Sequence, residues 1–267
     1  MIKKAILPVA GIGTRFLPAT KVVPKELLPI VDKPVIQYLV EEAVSSGIEE
    51  IIFVISKDKE LIRDYFSPNP ELEETLRIKG KSDALQKVAE LHKMAKFSYV
   101  YQNEPLGDGD AILKAKELIG NEPFMVLFGD DIIKGDVPAS KQLIQNYTGG
   151  VIIAVEEVDK KYAPLYGIID PGVQNGNLFE VKTLVEKPSP EEAPSNLGII
   201  GKFICPPEIF EAIENSPSGK DGELRLVDGI LSLSQSQKIW ALKMEGQRFD
   251  TGKPDGLVSA NNAYLNA

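Results

Sequence analysis

One cysteine, one histidine and one tryptophan occur in 267 residues, and these scarcities exclude more chemistry than the abundant residues suggest. A lone Cys205 cannot form an internal disulfide, which argues for a reducing, cytoplasmic setting. It ends the apolar run Ile199-Ile200-Gly201-Lys202-Phe203-Ile204-Cys205, where a packed, inert thiol is expected. A single histidine rules out a histidine-rich zinc centre, and the charged helical surroundings of His92 place it toward solvent. No apolar run approaches the ~20 residues that span a bilayer. The start, Met1-Ile2-Lys3-Lys4 and then apolar residues, has the outline of a signal peptide. Pro8, Gly11 and Gly13 interrupt that run and Arg15 follows, so a buried strand entering a loop fits better.

Positive charge is also in deficit, with 30 Lys and Arg against 39 Asp and Glu. Neither a nucleic acid nor an anionic membrane is the expected partner, because phosphate polymers select basic faces. An acidic protein that binds a small polyphosphate must gather its cations locally or recruit a metal. With little histidine or cysteine, the chemistry rests on carboxylates, lysines, arginines and a hard cation.

What is present is a 43% hydrophobic chain, long enough to bury a sizeable core. Through the first half, apolar β-rich runs (5–9, 50–55, 97–101, 124–128) alternate with helical patterns (35–46, 59–66, 71–94 with a break near Gly80, 109–118). This alternation predicts an α/β fold with a mostly parallel, doubly wound central sheet and helices on both faces. After Gly149-Gly150 the strands come closer together (151–155, 167–170, 178–185, 197–205), predicting mixed or antiparallel additions. Helices are expected at 207–215, 222–234 and 254–266, and a strand at 238–244. One domain over residues 1–267 is expected, in two parts at about 1–135 and about 136–267.

Several segments carry chemistry. Ala10-Gly11-Ile12-Gly13-Thr14-Arg15 follows the first strand directly, and its glycines allow backbone N–H groups to approach phosphate oxygens. Phe16 stands where a dinucleotide fingerprint needs a small residue, and the Gly-Lys-Ser/Thr of a P-loop is absent. The remaining readings are a glycine loop that supplies its own Arg15, with Lys21 and Lys25 downstream, or a tight turn with surface cations. Residues 18–34 hold four prolines, so that loop is either a stiffened functional loop or a rigid connector. Gly129-Asp130-Asp131 follows an apolar strand, where an open parallel sheet places its ligand crevice and where Mg²⁺ takes carboxylates. Asp250, read as following a strand and preceding a helix, is a second metal candidate or the cap of the last helix. Glu186-Lys187 could accept sugar hydroxyls and neutralise a phosphate, or form an exposed pair.

Together, these segments resemble the bacterial-type UTP–glucose-1-phosphate uridylyltransferases. The matching text runs from Pro8-Val9-Ala10-Gly11 through Pro24-Lys25-Glu26, Gln102-Asn103-Glu104-Pro105-Leu106-Gly107, Gly129-Asp130-Asp131 and Glu186-Lys187-Pro188 to Phe249-Asp250-Thr251-Gly252. The resemblance implies a Rossmann-like three-layer nucleotidyltransferase fold, with about 1–135 as the nucleotide-binding part and about 136–267 as the sugar-phosphate-binding and interface part, and transfer of uridylyl from UTP to glucose 1-phosphate with Mg²⁺, by a homodimer or homotetramer. It implies that Ala10, Gly11, Gly13, Thr14, Glu26, Gln102 and Gly107 bind the nucleotide, and that Arg15 and Lys25 hold its phosphates. It further implies that Asp130 and Asp250 bind metal, that Tyr166, Gly167 and Glu186 hold the sugar, and that Lys187 holds the sugar phosphate.

Three departures stand out. Asp110, close to Asp108, replaces the usual histidine. Gly222-Glu223-Leu224-Arg225-Leu226-Val227-Asp228 replaces Gly-Glu-Ile-Gln-Leu-Thr-Asp. Thr251 resembles the thymidylyltransferase relatives more than the usual cysteine. They leave room for dTTP as a substrate; a catalytically inactive sugar-nucleotide sensor is the alternative of another class.

Overall fold

A computed structural model describes residues 1–219 and 222–265. The first strand, β1 (Lys4–Pro8), leads into a long loop built from three short 3-10 turns, Thr14–Phe16, Ala19–Lys21 and Lys25–Leu27. A small hairpin of β2 (Pro29–Ile30) and β3 (Lys33–Pro34) closes that loop, and α1 (Val35–Ser45) begins directly after Pro34. Proline there is compatible with a helix start, because its fixed φ and missing N–H interrupt no helical bond. The chain continues through β4 (Glu50–Ile55), α2 (Glu60–Tyr65), α3 (Pro70–Ile78), α4 (Ser82–Leu91), β5 (Lys96–Tyr101), α5 (Asp108–Lys114), α6 (Lys116–Ile119) and β6 (Phe124–Leu127). Then come β7 (Asp131–Lys134), α7 (Ala139–Asn146), β8 (Val151–Glu157), β9 (Gly167–Asn175), β10 (Leu178–Glu186) and β11 (Leu197–Cys205). The last elements are α8 (Ile209–Glu214), α9 (Leu226–Leu233), β12 (Ile239–Lys243), β13 (Gln247–Asp250) and α10 (Pro254–Leu265).

Nine strands form one twisted sheet in the order β5-β4-β1-β6-β11-β8-β12-β10-β9. Strands β5, β4, β1 and β6 are parallel neighbours; β11 runs antiparallel to both β6 and β8, and β10 antiparallel to both β12 and β9. Only β11 and β10 therefore oppose the common direction, so the sheet is mixed and mostly parallel, as the sequence predicts. Both faces are covered. Leu7, Phe53 and Leu127 pack on one side with α1, α7 and α10, while Ile6, Val54 and Val126 pack on the other with α5, α8 and α9. The period-2 alternation sends apolar residues both ways, which is why these strands read as continuous apolar runs.

Chain order also positions the site. From β1 the chain builds outward to β4 and β5, then returns to place β6 on the other flank of β1. The strand order thus reverses between β1 and β6, and a crevice opens beyond their C-terminal ends. The loops leaving those ends are residues 9–15 and 128–130.

The structure differs from the sequence reading in three places. Asp131–Lys134 pairs antiparallel with Gln247–Asp250 as a separate ribbon, so Asp250 lies within a strand rather than after one. The helix expected over 222–234 begins only at Leu226. Leu224 is drawn off to bond the 106–109 turn, donating to Leu106 O at 2.8 Å and accepting from Gly109 N at 2.9 Å. His92 is half-buried rather than solvent-facing, and its Nδ1 is among the buried atoms without a partner. Asn266, the expected end of the last helix, lies outside the described residues.

Candidate active site

At the β1–β6 reversal, three adjoining recesses form one cleft, with Asp108 on the wall of each. The first, about 260 Å³, is lined by Ala10, Gly11, Gln102 and Gly107. A central recess of about 120 Å³ holds Lys25, Glu26 and Asp130. The third, about 440 Å³, is lined by Arg15, Tyr166, Gly167, Glu186, Lys187, Asp130 and Asp250. Sequence-predicted residues from seven separate segments thus meet at one place. Gly13 and Thr14 sit on the shoulder of the loop instead. Gly13 adopts a φ of 72° that favours glycine, and its carbonyl accepts from Thr20 Oγ1 at 2.8 Å.

The loop is held from beneath by a buried ion pair. Lys59 donates to Glu26 at 2.8 and 3.1 Å and to the carbonyl of Val9 at 2.7 Å. Burial raises the Glu26 pKa and lowers that of Lys59, each opposed by the partner's charge. Both Glu26 oxygens are committed to this lysine and the residue is 1% exposed. Its carboxylate therefore braces the loop from beneath, while the residue also borders the central recess.

One residue earlier, Lys25 turns the other way and reaches Asp130 Oδ2 at 2.6 Å. Burial opposes its charge, but Asp130 and Glu26 prevail and hold its pKa above the ordinary lysine range. The adjacent acids Asp130 and Asp131 divide similarly. Asp131 is buried, accepts from Gly201 N at 2.7 Å and is gripped by Arg248, which also meets Glu156 and the Tyr166 hydroxyl. Burial presses Asp131 toward its neutral form and Arg248 opposes that. Arg248 itself is raised above the usual guanidinium range, because Asp131 and Glu156 outweigh its own burial.

Asp250 faces the cleft opposite Asp130. Burial pushes its pKa up, but Lys253 at 2.7 Å outweighs this and leaves it below the ordinary value. A side chain at Gly252 would drive its Cβ into Asp130 Oδ2 and place it 3.1 Å from Asp250 Oδ1. Only glycine leaves that space open, and the two carboxylate oxygens converge on it. Among the described residues, no cluster of three or more His, Cys, Asp or Glu could hold a metal ion. Two convergent carboxylates nonetheless fit Mg²⁺, which keeps water and takes its remaining ligands from substrate phosphates.

At the far end, Gly167 pairs with Glu186 across β9 and β10, and Lys187 N donates to Tyr166 O at 2.9 Å. Lys187 has a φ of 48°, an uncommon conformation for a side-chain-bearing residue and one that gathers at functional sites. Its ammonium meets Glu186 at 2.8 Å. Thr251, one of the departures noted above, does not face the cleft: its N–H and hydroxyl both donate to the carbonyl of Asp130, at 2.8 and 2.9 Å. It steadies Asp130 and carries no argument for dTTP. A larger hollow of about 630 Å³, lined by Asp32, Gln37, Tyr65 and Lys87, contains none of the candidate residues.

Residues 4–267 match the nucleotidyl transferase family model. The chain is 49% identical over 265 residues to the UTP–glucose-1-phosphate uridylyltransferase of Staphylococcus epidermidis, covering 98% of this chain and 92% of that protein. With the Bacillus subtilis protein of the same name it shares 47% over 260 residues, 97% of this chain and 89% of the relative. Among solved structures, a UDP-glucose pyrophosphorylase complexed with UDP-glucose superposes with a TM-score of 0.90 at 41% identity, covering 100% and 99% of the two chains. UTP-bound UGPase from Acinetobacter baumannii gives 0.92 at 39%, covering 100% and 95%.

Proposed function

The chain belongs to the nucleotidyl transferases, among the bacterial UTP–glucose-1-phosphate uridylyltransferases, and from that premise we propose that it transfers a uridylyl group from UTP to glucose 1-phosphate, releasing pyrophosphate. The observation that carries the site assignment is the convergence of Arg15, Lys25, Asp130, Lys187 and Asp250 on one cleft at the β1–β6 reversal. Ala10, Gly11, Gln102 and Gly107 take the base and Arg15 and Lys25 the triphosphate. Tyr166, Gly167 and Glu186 take the glucose, and Lys187 takes its phosphate. Asp130 and Asp250 hold Mg²⁺, which when bound supplies charge that stabilises the phosphoryl oxygens.

The acceptor phosphate attacks the α-phosphorus in line, and the bond to pyrophosphate breaks on the opposite side. A phosphate is already a nucleophile at neutral pH, so no histidine base is needed, and His92 does not line the cleft. The residues mainly align two anions and offset their repulsion. Lys25 is poised for this, since Asp130 keeps its ammonium charged despite burial.

The cytoplasm, the expected compartment, suits these substrates, and no helix among the described residues is long and apolar enough to cross a membrane. A homodimer or homotetramer and the division of labour between residues 1–135 and 136–267 belong to the same proposal. Its test is pyrophosphate release over a matrix of UTP, dTTP, CTP and ATP against several sugar 1-phosphates, with and without Mg²⁺. Fastest release with UTP, glucose 1-phosphate and Mg²⁺ is expected. Silence in every combination would favour an inactive sensor.

A further inference from the structure

The turn Gly107-Asp108-Gly109-Asp110 carries an acid whose partner is Gln102. Gln102 leaves the end of β5 with its backbone N–H tied to Ile55 O at 2.9 Å, and it is 7% exposed. Its side-chain Nε2 donates twice, to the carbonyl of Gly107 at 2.9 Å and to Asp110 Oδ2 at 2.9 Å. Asp110 is buried in the first turn of α5, and its other oxygen is held by Lys114 at 2.9 Å.

Those two bonds settle which way the amide points. A backbone carbonyl and an ionised carboxylate can only accept, so the group facing them must be the NH₂. Turning the amide over would set Oε1 against two acceptors at once, a loss of two hydrogen bonds and a mutual repulsion. Oε1 is therefore the atom left for the 260 Å³ recess that Gln102 lines with Ala10, Gly11 and Gly107. An acceptor presented there matches a base edge with a ring N–H, as in uracil and thymine. It opposes cytosine, whose corresponding ring nitrogen is itself an acceptor.

We propose that Asp110 is a positioning residue that locks the Gln102 amide with its oxygen toward the base recess, so that nucleotides with a ring N–H at this edge are accepted and cytidine nucleotides are refused. This rests on the UTP-dependent reading above. It deepens that reading by assigning base selection to a side chain outside the recess. It also gives Asp110 a task beyond the helix N-terminus, where an acid would be favourable in any case.

The test measures kcat/KM for UTP and CTP, with glucose 1-phosphate and Mg²⁺, in the wild-type chain, Asp110→Asn, Asp110→Ser and Lys114→Met. Wild type should favour UTP by on the order of 10³-fold or more, as expected of a site built around a hydrogen bond. Asp110→Asn and Asp110→Ser remove one of the two acceptor-only groups and leave the Gly107 carbonyl alone to orient the amide, so the flipped amide gains population and the UTP:CTP ratio should fall by ~10-fold or more. Lys114→Met leaves the Asp110–Gln102 bond in place and should keep the ratio. Because the ratio is internal to whatever fraction folds, partial unfolding does not disguise the outcome. A ratio within twofold of wild type in both Asp110 variants overturns the proposal. A wild-type chain inactive with UTP overturns the function instead.

Discussion

Two layers of charge meet at the cleft, and they alternate residue by residue. In each of two neighbouring pairs, Lys25-Glu26 and Asp130-Asp131, one side chain faces the cleft and the next is buried against a distant partner. The inner layer, Glu26 with Lys59 and Asp131 with Arg248, is committed to the protein itself. The outer layer is committed only loosely: Lys25 and Asp130 are bonded to one another, and a metal and a polyphosphate could take each of them over. The difference shows how an acidic protein can offer fixed cations to anions. The inner pairs immobilise the backbone, so the outer side chains need little reorganisation when ligand arrives.

Breaking the inner layer should do the most damage. Glu26→Ala leaves the Lys59 ammonium buried without its carboxylate, a loss of about 3–5 kcal/mol. Lys59→Met strands Glu26 similarly. The pair Glu26→Leu with Lys59→Met should recover most of the loss, because replacing both charges removes the desolvation cost along with the attraction. Urea unfolding midpoints of the three variants check this. A single variant as stable as wild type would show that the two layers are not different in kind.

The outer layer should respond in the opposite sense. Asp130→Asn should lower turnover by at least ~10²-fold, the scale of losing a principal electrostatic stabiliser, while the unfolding midpoint changes little. A fully active variant would remove Asp130 from the metal site. Gly252→Ala sharpens the point without altering a charge: its methyl would clash with Asp130 Oδ2, so that carboxylate must move. A drop of about 10–100-fold is expected from such a displacement, with more Mg²⁺ needed for half-maximal rate. An unchanged magnesium requirement would mean that the space beside Gly252 is not where the ion binds.

The two layers also differ in how far they could be read from sequence. Arg15, Lys25, Asp130, Glu186 and Lys187 were legible because each ends a strand or lies in the loop that leaves one, and open α/β sheets gather their strand ends at one crevice. Glu26 was legible as a charged residue in the right loop, but its direction was not. That depends on Lys59, 33 residues away, and no local pattern announces a partner at that distance. Arg248 and Asp131 are 117 residues apart and come together through the β7–β13 ribbon, whose strands are each only 4 residues long. Runs so short carry too little periodicity to be distinguished from loop. The bonding of Thr251 was hidden for a related reason: a family comparison marks the substitution but not the carbonyl it points to.

Asp108 belongs to neither layer, and it supplies the smallest and most specific test. It borders all three recesses, yet its bonded partner is a backbone group, Leu226 N at 2.7 Å, rather than a cation. Burial lifts its pKa to about 6; the Leu226 bond and Arg225 pull it down, while Glu186 and Glu223 push it up. A carboxyl with a raised folded pKa favours the folded state in its neutral form. Its contribution is therefore complete below about pH 4 and is lost as pH climbs through about 6. Asp108→Asn keeps an acceptor for Leu226 but cannot ionise, so the variant should be more stable than wild type at pH 7 by about 1–2 kcal/mol. The advantage should shrink toward pH 4, where the wild-type carboxyl is also neutral. Unfolding midpoints at pH 4, 5, 6 and 8 decide it. Parallel profiles for the two proteins would mean that Asp108 is solvated like an ordinary surface acid and that the cleft wall is wetter than its burial implies.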